Sequence, residues 1–310
     1  MHRLIRRILL SFAQNAWLRE RLPNMPFMQR AVRRFMPGED AQDALDAASE
    51  LQALGIGTLY TRLGENIDDL DQAQAVADHY IDLLDRIQAA GIDGEISVKL
   101  TQLGLDVDED ACFGHLRALA AAATEHNSYL WIDMEDSSYV DRTLDLYQRL
   151  RATQPRTGVC LQAYMRRTAR DVERLLPIEP AIRLVKGAYD ESAAIAFRTG
   201  REVDANYMGL AVTLARETRT RSIRLGLGTH DVALIEQIAA HAAAAGVARD
   251  AFEVQMLYGI RANEQRRLAK SGYRVQALIA YGAAWYPWYM RRLAERPANV
   301  LFALRQLLPS

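Results

Sequence analysis

Past residue 38 the chain alternates short apolar, β-branched runs with longer stretches in which alanine and leucine recur at helical spacing. The short runs fall at 57–62, 95–101, 129–135, 158–165, 182–189, 223–230, 252–258 and 273–281. Helical spacing occupies 111–125, 139–151, 169–176, 207–219, 232–245 and 263–271. Eight strands with helices between them predict an α/β chain, and a parallel sheet of eight closes into a (β/α)8 TIM-type barrel. A doubly wound open sheet is the rival. The strand count and the absence of a GxGxxG turn speak against it.

Ahead of this rhythm, residues 1–35 carry Arg3, Arg6, Arg7, Arg19, Arg21, Arg30, Arg33 and Arg34 against one acid, Glu20. Leu4, Ile8, Leu9 and Phe12 recur at helical spacing, and Pro37-Gly38 breaks the chain. We therefore divide the sequence into a basic helical arm, 1–38, and one catalytic domain, 39–310. The arm is either a helix packed on the domain with solvated arginines or a peripheral contact with a membrane or partner. Its apolar stretch is too short, and lacks a small-residue cleavage site, for a signal peptide.

Composition narrows the class only a little. At 310 residues, 50% hydrophobic and 25% charged, the chain is ordinary globular material of a size barrels reach as one domain. A formal net charge of −1 gives no global field for nucleic acid. Two cysteines, Cys112 and Cys160, suit a reducing cytoplasm and are expected as small core hydrophobes. No apolar run reaches the length of a membrane span.

Barrel enzymes assemble their sites at the carboxyl ends of the strands. The polar residues assigned there are Lys99 and Thr101; Asp133 and Glu135; Gln162 and Tyr164; Arg183, Lys186 and Tyr189; Thr229, His230 and Asp231; and Glu253, Gln255 and Tyr258. Residues two apart on a strand share a face, so Asp133 should point with Glu135 and Gln162 with Tyr164. Lys99 and Asp133 cannot sit unpaired in an interior, and are expected to face a polar site and each other. Each residue has a plainer role open to it. Asp133 or His230 could cap a helix, Lys186 could end a surface strand, and Gln162 could be a satisfied core amide. The final helical stretch sets Trp285-Tyr286-Pro287-Trp288-Tyr289-Met290 before Arg291-Arg292 and Glu295. It is either an aromatic lid with an arginine fork for a carboxylate or a packed terminal helix with solvated arginines.

Taken in order, several segments resemble the proline dehydrogenase family, in its bacterial single-function form. They are Ser97-Val98-Lys99-Leu100-Thr101, Ile132-Asp133-Met134-Glu135, Leu161-Gln162-Ala163-Tyr164 and Arg183-Leu184-Val185-Lys186-Gly187-Ala188-Tyr189. Thr229-His230-Asp231, Phe252-Glu253-Val254-Gln255-Met256-Leu257-Tyr258-Gly259 and Trp285-Tyr286-Pro287 with Arg291-Arg292 complete the set. The resemblance runs from about residue 35 to the end. It implies a distorted (β/α)8 barrel that holds FAD, oxidises a cyclic amino acid and passes electrons to a quinone-type acceptor. On that resemblance Arg183 lies by the flavin N5. Met134, Gln162, Lys186, Gly187, Ala188, Thr229, His230 and Glu295 hold the cofactor. Lys99, Arg291 and Arg292 take the substrate carboxylate, Asp133 lines the site and pairs with these cations, and Tyr189 packs beside the substrate ring. The arm would then carry a peripheral contact with the inner membrane from the cytoplasm.

Two positions depart from the family pattern. Leu278, in Ala277-Leu278-Ile279-Ala280-Tyr281-Gly282, and Trp288, three residues before Arg291, stand where the family has ring-shielding tyrosines. One hydroxyl is lost and one side chain is bulkier, so the ring pocket is altered. A hydroxyproline, a substituted proline or a biosynthetic intermediate is therefore an alternative substrate to L-proline. From another class, Lys99 or Lys186 at a strand end could form a Schiff base as in barrel aldolases. A flavin-free binding barrel is a further alternative, which Arg183, Lys186 and His230 oppose.

Overall fold

The computed structural model describes residues 32–295, together with residues 21, 25, 28 and 29. Leu4, Ile8, Leu9 and Phe12 of the arm lie outside the described residues, as do the side chains of Arg291 and Glu295. The strands are β1 (Gly57–Arg62), β2 (Gly94–Val98), β3 (Leu130–Ile132), β4 (Thr157–Gln162), β5 (Ala181–Val185), β6 (Arg224–Gly228), β7 (Glu253–Leu257) and β8 (Arg274–Tyr281). All pair in parallel with their sequence neighbours, and β1 pairs with β8 from Gly57↔Gln276 to Arg62↔Tyr281, which closes the barrel. Around it run α1 (Ala41–Gln52), α2 (Leu70–Ala89), α3 (Glu109–Glu125), α4 (Val140–Arg151), α5 (Thr168–Leu175), α6 (Gly200–Glu217), α7 (Val232–Ala244), α8 (Ala262–Lys270) and α9 (Trp285–Glu295).

Alternation along each strand separates two interiors. The outward set, including Ile96, Val98, Leu130, Ile132, Val159, Leu161, Ile182, Leu184, Leu225, Leu227, Val254 and Met256, joins the helices in the main core. Each such side chain contributes about 1.5–3 kcal/mol by leaving water. Cys112 and Cys160 are free and buried. The inward set is different: Leu59, Trp131 and Ala181, with Tyr129 and Leu278 against them, form a small apolar plug inside the barrel. The inward face also carries the polar residues Ser97, Gln162, Arg183, Arg224, Glu253 and Gln255 and the glycines Gly226 and Gly228, with Cys160, Val185, Leu257 and Ala280 among them.

Helix starts follow local chemistry. Asp69, Asp108, Thr199 and Asp231 each accept a backbone N–H of the first turn of α2, α3, α6 and α7. Such caps contribute about 1 kcal/mol each. Helices α1 and α2 are absent from the pattern read along the sequence. In α2 the buried residues Ala73, Val76, Ala77, Tyr80, Leu83, Leu84 and Ile87 do follow helical spacing, but alanines and intervening acids thin the signal.

The strands stop earlier than their sequence runs suggest. After Val98 the chain enters a 3-10 turn, Leu100–Leu103, in which Lys99 N–H donates to Gln102 Oε1 at 3.2 Å. β3 ends at Ile132, so the expected common face of Asp133 and Glu135 does not exist. Past the strand ends, Asp133 bonds to Ser97 of β2 and Arg183 of β5, and Glu135 to Thr101 in the 3-10 turn.

On the carboxyl side of the barrel, α9 packs against the ends of β8 and β1. Trp285, Tyr286, Trp288, Tyr289, Met290 and Leu293 bury against Val32, Phe35, Met36, Leu63 and Ala280. Ala280 lies two residues beyond Leu278 and shares its inward face. Trp285 Nε1–H donates to Glu39 Oε1 at 2.9 Å and ties α9 to the segment before α1.

Candidate active site

Asp133 directly follows β3, on the inward face carried up from Trp131. It meets β2 and β5 there, where its Oδ1 accepts from Ser97 Oγ–H at 2.9 Å and from Arg183 Nη1–H at 2.8 Å. Arg183 is the middle residue of β5, and its side chain is 5% exposed. Its Nη1 also reaches Ser97 Oγ at 2.9 Å, its Nε–H donates to Gln255 Oε1 at 2.6 Å, and its guanidinium lies over the Trp131 ring at 4.8 Å. Nη2 is buried and makes no hydrogen bond among the described residues. A buried cationic N–H without an acceptor costs ~1–3 kcal/mol or more, and such a group in a strand-end site is a donor held ready for a ligand.

One loop further, Glu135 accepts from Thr101 N–H at 3.2 Å and from Thr101 Oγ–H at 2.7 Å. Burial pushes its carboxyl up to about 7, against those hydrogen bonds and the pull of Lys99. Gln162 Nε2–H donates to the Glu135 carbonyl at 2.7 Å. Lys99 is half-buried and its charge is felt by Glu135.

The connection between β5 and α6 supplies the next group. Lys186 Nζ pairs with Asp204 Oδ1 at 2.6 Å and Asp231 Oδ2 at 3.0 Å. Two of its three N–H donors are therefore directed by carboxylates, and it is an oriented donor more than an isolated positive charge. Gly187 has φ +110, and a Cβ there would stand 2.0 Å from Tyr164 Cδ1. Glycine is thus required both by the backbone and by the tyrosine ring packed on it. Ala188 and Tyr189, next in sequence, are half-buried; after β6, Thr229 is buried, its Oγ accepting Asp231 N–H at 3.2 Å, and His230 is half-buried.

Several expectations are corrected. Asp133 pairs with Arg183 and Ser97, and among the described residues it forms no ion pair with Lys99. Neither Asp133 nor His230 caps a helix; Asp231 caps α7. Glu253 is not at a carboxyl strand end but is the first residue of β7, while Arg183 and Gln255 are mid-strand. There Arg224 Nη2 pairs with Glu95 Oε1 at 2.8 Å and Glu253 Oε1 at 2.9 Å, and Trp131 Nε1–H donates to Glu95 Oε2 at 2.7 Å. Charge in this barrel therefore occupies both ends of the interior.

The remaining expected residues are spread more widely. Met134 is buried in the main core. Leu278 is half-buried in the apolar plug, and Trp288 is buried in the α9 cluster, so the two departures from the family pattern belong to separate packing groups. Arg292 is half-buried on the last turn of α9, which Glu295 ends; Arg291 directly precedes that turn. All three of Ser97, Gln255 and Trp131 hold Arg183; from the sequence Gln255 stands among the strand-end polar residues without a stated role, and Ser97 and Trp131 carry none. The period-two spacing Glu95, Ser97, Lys99 on β2 was the available signal for Ser97.

A family model described as proline dehydrogenase matches residues 44–305. The chain belongs to the proline dehydrogenase family. It is 34% identical over 305 residues to proline dehydrogenase 1 of Bacillus subtilis subsp. natto, covering 98% of this chain and 99% of that one. It is 36% identical over 286 residues to the proline dehydrogenase of Deinococcus radiodurans, covering 91% of each. Among solved structures it resembles proline utilization A from Bdellovibrio bacteriovorus inactivated by N-propargylglycine, with a TM-score of 0.79 and 23% identity over 86% of this chain. The chain spans 33% of the length of that much larger protein, and the likeness supports the barrel fold.

Proposed function

We propose that this chain is an FAD-dependent proline dehydrogenase that oxidises L-proline to Δ1-pyrroline-5-carboxylate and hands the electrons to a quinone-type acceptor. The observation that carries the reading is the buried Arg183 guanidinium, held on three sides with one donor arm left open, in a family member 34% identical to a curated proline dehydrogenase over 98% of the chain. Bound at the mouth, FAD supplies an acceptor for the hydride that leaves the ring carbon next to nitrogen. The residues present fit such a group: an orphaned buried donor at Arg183, an oriented ammonium at Lys186, and a positive-φ glycine turn at Gly187 beside it.

The chain's own residues divide the work. Arg183 places positive charge and an open N–H where negative charge develops, and Asp133 with Ser97 holds it there. Lys186, Gly187, Ala188, Thr229, His230, Gln162, Met134 and Glu295 would hold the cofactor. Lys99, Arg291 and Arg292 would pin the substrate carboxylate, which fixes the reacting carbon and lowers the entropic part of the barrier. Tyr189, Leu278 and Trp288 would bound the ring pocket. The substrate amine must be neutral before hydride leaves, so turnover should rise with pH through the bound amine's pKa.

Leu278 and Trp288 favour a second substrate, a ring-substituted proline. Steady-state turnover with a soluble quinone analogue, comparing L-proline and trans-4-hydroxy-L-proline, separates the two. Product formation from L-proline with the higher kcat/KM supports the reading; turnover of the hydroxylated ring alone would replace it. No helix among the described residues is long and apolar enough to cross a membrane. The arm's arginines would carry the approach to a membrane-held acceptor, and a protein lacking residues 1–35 that binds anionic liposomes as well as the full chain would remove that part.

A further inference from the structure

We propose that Gln255 is a positioning residue for Arg183, reaching across an intervening strand to clamp the guanidinium so that its Nη2 arm stays open. The consequence for the cofactor rests on the function proposed above; the clamp itself does not.

The bridge has an unusual path. Arg183 is on β5 and Gln255 on β7, with β6 between them. Gly226 of β6 is in register with Arg183 on one side and Glu253 on the other, and Gly228 is in register with Gln255. Both glycines fall on the inward face. A Cβ on Gly226 would stand 2.8 Å from Gln255 Nε2 and 2.9 Å from its Cδ. The missing side chain of β6 is therefore the slot through which the amide of β7 reaches β5.

The direction of the amide is dictated from below. Gln255 Nε2–H donates to Glu253 Oε1 at 2.5 Å. An ionised carboxylate only accepts, so the NH2 end must face Glu253 and Oε1 must face Arg183 Nε–H. Arg224 Nη2 lies 2.9 Å from each Glu253 oxygen, and Arg274 Nη2 lies 3.4 Å from Oε2. The paired charges at the amino end of the barrel thus hold Glu253, which orients Gln255, which holds Arg183.

Without that last bond, the guanidinium could turn and satisfy Nη2 in place of Nε. The open donor exists because Nε is taken by Gln255 and Nη1 by Ser97 and Asp133. A clamp of this kind preserves an unsatisfied group at the site, at a cost in stability met elsewhere in the fold.

The test uses full-length, FAD-loaded protein with Gln255→Met, which keeps length and removes the acceptor, and Gly226→Ala, which fills the slot with Gln255 intact. In both we expect the two-electron reduction equilibrium of the bound flavin to shift about tenfold toward the oxidised form, about 30 mV more negative. kcat with L-proline should fall about tenfold with KM changed less than about twofold, the split expected of an interaction made mainly in the transition state. A purely structural role would lower the melting temperature and leave potential and kcat at wild-type values, and that result would overturn the proposal. A second readout needs no flavin. In 15N-arginine-labelled protein, the Nε–H resonance that vanishes in Arg183→Lys should lose its protection from exchange in Gln255→Met; retained protection overturns the clamp. Wild-type protein that L-proline does not reduce would overturn the functional reading and the consequence for the cofactor, while the Nε–H signal still decides the clamp.

Discussion

The two ends of the barrel interior hold similar residues in opposite states. At the amino end, Arg224 meets both Glu95 and Glu253, Arg274 meets Glu253, and Trp131 Nε1–H satisfies Glu95. At the carboxyl end, Arg183 meets one carboxylate, Asp133, and retains an open Nη2. A buried ion network whose members are all paired is a structural device that just offsets its own desolvation. A buried cation with an orphan donor marks a candidate site. Charge inside a barrel is therefore no guide to function until its hydrogen bonds are counted.

Removing a partner at the amino end should have the largest effect on stability. Glu95→Ala leaves Arg224 underpaired and Trp131 without its acceptor, and should cost ~3–5 kcal/mol in denaturant unfolding. The potential of the bound flavin should stay unchanged; a shifted potential would mean that the two ends are not separable in this way. Next comes Glu135, whose carboxyl burial lifts to about 7. Its folded pKa lies above the ordinary carboxylate value, so the folded state holds the proton more tightly. Stability from this group is full below about pH 4.5 and falls as pH rises to about 7, by on the order of 3 kcal/mol. Glu135→Gln should flatten that part of the pH–stability curve, and an unchanged slope would place the carboxyl's pKa near its ordinary value.

At the carboxyl end, Arg183→Lys keeps the charge and loses the fork. Flavin reduction by L-proline should slow about 100-fold, equivalent to about 2.7 kcal/mol, with the melting temperature nearly kept. A rate within threefold of wild type would move the reaction centre elsewhere. The smallest effect is expected of Asp231→Ala, which removes the α7 cap and one partner of Lys186. It should cost about 1 kcal/mol of stability, and FAD should bind a few-fold more weakly because the Lys186 ammonium is less well directed.

Much of the fold was legible because parallel strands buried on both sides leave continuous apolar runs. The strand count, the closure and six helices could be read from them. Helices α1 and α2 could not: the buried face of α1 is largely alanine, and in α2 the apolar positions are interrupted by acids and amides. The sequence runs reach Thr101, Glu135 and Tyr189, past strand ends at Val98, Ile132 and Val185, because nothing in the residue types that follow marks where the ladder stops. For the site, motif order put forward Arg183, Asp133, Lys186 and Thr229 as candidates. It could not say that Glu253 sits at the far end of the barrel, that Asp133 answers Arg183 instead of Lys99, or that Ser97 and Gln255 complete the clamp. Those facts depend on which residues share a layer across different strands, and strand stagger is not encoded in any one segment.

The most direct measurement is the absorption spectrum of purified protein during anaerobic titration with L-proline. Oxidised flavin bands should bleach with a stoichiometry near one proline per flavin. A colourless protein that cannot be reconstituted with FAD, or flavin bands that stay oxidised in excess L-proline, would rule out L-proline oxidation by a bound flavin.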